Sequence, residues 1–236
     1  MKKTLIAIAL FFLASTLVYS QTWEKYCENG LIYVILGNYK EAMLNYNKSI
    51  EINPKCVKAY TRRGRLKTYI EDQIGAMQDF NKAIELNPKY TDAYTERGIL
   101  KSTLEDHIGA MLDFNNAIKI DPEYAEAYFC RGNEKSKLED NLGAIQDFNK
   151  AIGLTPKYLL AYLNRGCVKI ILYDYRGAIQ DFNKVIEIDP NYAEGYFKRG
   201  IIKTKLNDKN NGCLDLSKAG ELGFEKAYEA IKDLCQ

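Results

Sequence analysis

Residues 60–84 carry two stripes of apolar side chains separated by a polar break. Tyr60, Leu66 and Ile70 mark the first stripe, and Ile74, Met77, Phe80 and Ile84 mark the second. Spacings of three and four residues place such positions on one face of a helix. The pattern therefore predicts two helices joined at Glu71-Asp72-Gln73, with Asp72 capping the second. The same order returns every 34 residues. Pro54, Pro88, Pro122, Pro156 and Pro190 keep that step, as do Gly30, Gly64, Gly98, Gly132, Gly166 and Gly200. So do Tyr26, Tyr60, Tyr94, Tyr128, Tyr162 and Tyr196. Ala42, Ala76, Ala110, Ala144 and Ala178 form a further column that ends in Gly212, and Tyr46, Phe80, Phe114, Phe148 and Phe182 form one that ends in Leu216. A fixed period of this length marks stacked repeats, not independent domains.

Asn38, Asp106, Asp140, Asp174 and Asp208 stand where Asp72 does, so every second helix has a candidate cap. Each proline follows Asn53, Asn87, Asp121, Thr155 or Asp189. These residues cap helices well, and proline is tolerated at the first helical position, so each new first helix is expected to start at its proline. The small Gly64 and Ala76 columns predict a close approach of the two helices, with the Tyr60 and Phe80 columns filling the space around it.

The set Tyr60, Gly64, Ala76, Phe80, Ala83 and Pro88, repeated six times over about residues 23–223, closely resembles the tetratricopeptide repeat. That resemblance implies an all-α fold, a right-handed α-solenoid (superhelix) of antiparallel helix pairs. The expected organisation is a signal peptide at 1–20, six repeats over 21–223 (about 23–56, 57–90, 91–124, 125–158, 159–192 and 193–223) and a capping helix in 224–236. The sixth repeat departs from the pattern at Gly212, Leu216 and Leu222-Gly223. A terminal repeat needs a polar-faced cap, and Ala227, Ile231 and Leu234 are expected to face inward from it.

Lys2 and Lys3 precede an apolar run from Leu5 to Val18, with Val18-Tyr19-Ser20 before a cut at Gln21. That is a signal-peptide pattern, and the run is too short for a membrane-spanning helix. The expectation is a periplasmic or secreted protein with no integral span after cleavage; an uncleaved N-terminal anchor is the alternative. Loss of the two lysines takes the formal charge from +2 to 0, so neither nucleic acid nor long-range charge steering is indicated.

Arg63, Arg97, Arg131, Arg165 and Arg199 precede the glycine column, and Asp79, Asp113, Asp147, Asp181 and Asp215 precede the aromatic column. In the first repeat both give way together, to Asn29 and Asn45. The joint change predicts five structural ion pairs. Lys67, Lys101, Lys135, Lys169 and Lys203 form another column, read as a solvated flank with weak helical pairs.

The resemblance implies that first helices line a concave groove for a peptide or partner helix. The matching positions are Lys58, Arg65 and Tyr69, then Ile99, Phe129 and Asn133, then Leu160, Leu163 and Ile170, and finally Phe197 and Ile201. The Lys/Asn/Arg clamp that family members use for a terminal carboxylate is not reproduced, so an amphipathic helix or an extended segment is the expected ligand.

Six cysteines and an expected oxidising compartment point to disulfides. Cys213 opens the last second helix and Cys235 closes the cap, so this pair is expected to staple the cap; the pairing of Cys27, Cys56, Cys130 and Cys167 stays open. No C-x-x-C motif accompanies the single His107, so no metal and no cofactor is expected. The sequence has no phosphate-binding glycine loop, nucleophile elbow or His-based dyad. The expected function is a non-catalytic protein–protein scaffold or adaptor. A structural or self-assembling envelope component is the alternative, and homo-oligomers stay open.

Overall fold

The computed structural model describes residues 23–235. The expected signal peptide lies outside them. They divide into two compact units, one ending at Pro122 and the other beginning at Glu123. The first unit holds α1 (23–35), α2 (Tyr39–Ile52), α3 (Val57–Tyr69), α4 (Gln73–Leu86), α5 (Thr91–Thr103) and α6 (His107–Ile120). The second holds α7 (Ala125–Lys137), α8 (Asn141–Leu154), α9 (Leu159–Ile171), α10 (Tyr175–Ile188), α11 (Ala193–Lys205), α12 (Lys209–Glu221) and α13 (Lys226–Leu234). No strand occurs among the described residues. Helices pack in consecutive antiparallel pairs, α3 on α4, α5 on α6 and so on to α11 on α12, and α13 covers α12. The all-α solenoid class expected above is the one observed.

The turn inside each pair is built by the backbone. After α3, the Asp72 N–H donates to the Lys67 carbonyl at 2.8 Å and the Glu71 N–H to the Thr68 carbonyl at 3.2 Å. This is the Schellman closure, which needs a left-handed residue. Glu71 takes that role at φ 65°, as do Glu105, Glu139, Tyr173 and Asn207; only the first repeat uses glycine, Gly37. Asp72 then caps α4 by accepting from the Gly75 N–H at 2.9 Å, and Asp106, Asp140 and Asp174 do the same in their repeats. Asp208 caps nothing; its carboxylate accepts from the Asn211 side chain at 2.8 Å.

The prolines do not start helices. Asn87 sits extended at the end of α4, because the residue before proline is kept out of the helical region. Its carbonyl accepts from the Tyr90 N–H at 3.0 Å and its side chain from the Lys89 N–H at 3.0 Å. Pro88 therefore occupies the second position of a tight turn, and α5 begins three residues later. Asn53 and Asp189 build the same turn.

The aromatic column fills the core. Phe80, Phe114, Phe148 and Phe182 are each at most 1% exposed, and each ring lies on the glycine of its partner helix. A Cβ at Gly98 would fall 2.6 Å from Phe114 Cε1. Gly98→Ala should therefore cost about 1–3 kcal/mol through overpacking, read as a lower urea midpoint. An unchanged midpoint would mean that Phe114 yields freely.

The five Arg–Asp pairs are present and bidentate. In the second repeat Arg63 Nε lies 2.8 Å from Asp79 Oδ2, and Nη2 lies 2.6 Å from Oδ1. The lysine column is not a solvated flank. Lys67, Lys101, Lys135, Lys169 and Lys203 each place Nζ 2.8–2.9 Å from the same buried aspartate. Each arginine also lies over the tyrosine of its repeat, at 5.3–5.6 Å to the ring centroid. In the first repeat Asn45 donates to the Glu41 carbonyl at 2.8 Å instead.

Two other expectations change. Ile74, read as part of a buried stripe, is 77% exposed at the start of α4. In the cap, Ala227 is buried and Ile231 is half-buried, but Leu234 is exposed. Cys213 and Cys235 are joined by a disulfide with Cα atoms 5.8 Å apart.

Candidate functional site

Within each unit the expected groove positions lie on the first helices. In the first unit these are α1, α3 and α5. Lys58, at the start of α3, is exposed and reaches Glu28 on α1 at 2.7 Å, and Arg62 reaches the same carboxylate at 3.1 Å. The Lys58 hydrogen bond, helped by Arg62, holds the Glu28 carboxyl below the usual carboxylate range against the opposing effect of burial. The contact is thus kept at neutral pH and lost on acidification through that lowered value. One turn on, Arg65 pairs with Glu96 of α5. Tyr69, at the end of α3, is 67% exposed, and its ring stacks on Tyr39 at 4.7 Å. Ile99 is half-buried.

Between α1, α2 and α3 lies a cavity of about 190 Å³ lined by Leu31, Val34, Tyr39, Tyr46, Arg62, Arg65, Leu66 and Tyr69. Burial pushes the Tyr46 hydroxyl up to about 12, so its phenol is neutral across physiological pH. Both arginines are matched by acids, Arg62 by Glu28 and Arg65 by Glu96. The cavity is therefore apolar and close to charge-balanced, a place for an aliphatic or aromatic side chain rather than for an anion.

In the second unit Phe129 is half-buried against Tyr158, with centroids 4.9 Å apart. Asn133 on α7 accepts from Asn164 on α9 at 2.7 Å. Leu160 is 43% exposed, and Ile170 and Ile201 are half-buried. Phe197 stacks on Phe224 ahead of the cap at 4.7 Å. Leu163 departs from the groove expectation. It is 5% exposed and packs with Ala178, Phe182, Val185 and Ile202, so no ligand reaches it. Thr61 and Thr95 of the same column are buried too. A charge at Leu163 would test folding, not binding.

The sequence reading placed no binding residue in the first repeat. Its hint was Tyr69, the one aromatic in a column otherwise filled by Thr103, Lys137, Ile171 and Lys205. Among the described residues no group of three or more His, Cys, Asp or Glu side chains is arranged to hold a metal, and no helix is long and apolar enough to cross a membrane.

Two sequence models of the tetratricopeptide repeat match this chain, one over residues 30–67 and 174–207 and the other over 57–90 and 125–158. The chain belongs to the tetratricopeptide repeat family. Among curated proteins, a rice (Oryza sativa subsp. japonica) SGT1 homolog is 39% identical over 51 residues, which is 22% of this chain and 14% of that protein. Among solved structures, PilF of Pseudomonas aeruginosa is 15% identical with a TM-score of 0.78, covering 90% of this chain and 98% of its own. YrrB, described as a tetratricopeptide repeat protein with an unusual peptide-binding site, is 22% identical with a TM-score of 0.60, covering 79% and 97%. At these identities the structural likeness establishes the fold of this tetratricopeptide repeat protein and no more.

Proposed function

We propose that this protein is a non-catalytic scaffold that binds an apolar segment of another protein on the first-helix face of its N-terminal unit. The observation that carries this reading is the apolar, charge-balanced cavity of about 190 Å³ whose wall includes the exposed Tyr69. Aromatic residues beside a concave apolar pocket are the usual anchors of protein recognition. The description of YrrB supports a peptide as the ligand class. Lys58, Arg65 and Ile99 border this site in the proposal, and Phe129, Asn133, Leu160, Ile170, Phe197 and Ile201 serve a second contact face within the C-terminal unit. Export from the cytoplasm is part of the same proposal, supported by the Cys213–Cys235 disulfide.

Selection of a displayed random-peptide library on the purified protein tests it. The enriched peptides should share one aliphatic or aromatic anchor. Tyr69→Ala should weaken the best of them at least tenfold, about 1.4 kcal/mol, with the helical circular dichroism unchanged. Enriched peptides without a common apolar anchor, or affinity indifferent to Tyr69→Ala, would contradict it.

A further inference from the structure

Beside α1 lies a second cavity, of about 350 Å³, which the mechanism proposed above does not use. Trp23, Glu24, Cys27 and Glu28 line it from α1, Asn53, Lys55 and Cys56 from the turn before α3, and Val57 and Lys58 from the start of α3. Cys27 and Cys56 are 1% and 4% exposed and belong to one packed cluster. Both thiols line this one cavity. Around them Arg62 Nη1 lies 3.5 Å from Cys27 Sγ, and Ser49 Oγ lies 4.0 Å from Cys56 Sγ. The four cysteines outside the Cys213–Cys235 bond are thus not equivalent: two of them line one cavity and share one packed cluster, whereas Cys167 sits against Lys198.

We infer that Cys27 and Cys56 are a dithiol site that closes to a disulfide when a small disulfide oxidant enters the cavity they line. Cys56 is the attacking sulfur. It forms the N-terminal cap position of α3, and the Cys27 thiol, the Ala59 N–H and Ser49 favour its thiolate, which lowers its pKa while that of Cys27 is raised. Thiolate attack on the oxidant's S–S bond forms a mixed disulfide and expels one thiolate. Cys27 then attacks Cys56 Sγ and the second thiolate leaves, carrying away the proton of Cys27. Two protein thiols are oxidised to one disulfide, and one external disulfide is reduced to two thiols.

The bond would tie α1 to the start of α3, across 29 residues of sequence. Cys213–Cys235 ties the last pair to its cap in the same manner. One bond would thus hold α1 within the first unit, as the other holds α13 within the second.

The full-length protein is equilibrated with oxidised and reduced glutathione, quenched with acid, alkylated under denaturing conditions and digested with trypsin without reduction. The expected product is peptide 26–40 joined to peptide 56–58, with alkylated Cys130 and Cys167. Trp23 is the sole tryptophan and lines the same cavity, so its emission should fall on oxidation and return on reduction. That response should be lost in Cys27→Ala. Alkylated Cys27 and Cys56 in a sample where Cys213–Cys235 is linked would overturn the inference. So would glutathione held stably on Cys56, or pairing of either cysteine with Cys130 or Cys167.

Discussion

Asp113→Ala is expected to lower stability by about 3–5 kcal/mol, the scale for removing one member of a buried charge cluster. Asp113 is 0% exposed and receives Arg97 at 2.9 and 2.7 Å and Lys101 at 2.8 Å. Arg97 and Lys101 are themselves only 19% and 18% exposed. Without the carboxylate two largely buried cations, one of them over the Tyr94 ring, lose their shared counter-charge. The cost comes from stranding them more than from losing the pair, because a buried ion cluster roughly breaks even against well-packed apolar side chains. Arg97→Met, Lys101→Met and Asp113→Leu combined should therefore recover most of the loss. An exposed pair gives the contrast. Lys82→Met breaks the Lys82–Glu85 contact of 2.7 Å, whose side chains are 40% and 68% exposed, and should leave the urea midpoint nearly unchanged. Urea titrations of the variants decide this. An Asp113→Ala loss no larger than that of Lys82→Met would show that the cluster is solvated.

Cys235→Ser is expected to detach α13 and to cost about 2–4 kcal/mol, the usual range for a disulfide closing a loop of this size. The nine-residue α13 is too short to persist alone. Its other ties are few. Ala227 is its one buried side chain, the Tyr228 hydroxyl donates to the Gly220 carbonyl at 3.1 Å, and Phe224 stacks on Phe197 just ahead of it. Ile231 is half-buried and Leu234 exposed, so little apolar area holds the C-terminal turn. Hydrogen exchange should therefore show amides of residues 226–234 losing protection in the variant, followed by those of α12, which α13 covers. Unchanged protection of 226–234 would mean that apolar packing, not the bond, retains the cap.

The periodicity of the sequence made the helix pairs legible, since a column repeated every 34 residues states which positions are equivalent. It did not state what each column faces. The lysine column looked like a flank because Lys67 and Glu71 are four apart on one helix, yet Lys67 turns to Asp79 on the next. The Ile74 column looked internal because it extends an apolar stripe, yet Ile74, just before the buried Gly75 and Ala76, is exposed. Left-handed Glu71, Glu105 and Glu139 escaped notice because glycine marks that turn only at Gly37 and Gly223. At the candidate site, Leu163 was read as groove-facing from its place in the repeat, although that column turns into the helix contact. The cavity near Tyr69 came from neither the repeat nor its columns. It arises where Tyr39 and Tyr69, from successive helix pairs, bring their rings together.

Site-specific photo-crosslinking tests the central claim most directly. A benzophenone side chain is placed at Val34, which lines the cavity, and separately at Ile74, which is 77% exposed on α4. With a library-selected peptide present, the account predicts covalent capture from position 34 and none from position 74, and loss of capture at 34 on Tyr69→Ala. Capture from position 74 alone, or from both positions without dependence on Tyr69, would contradict it.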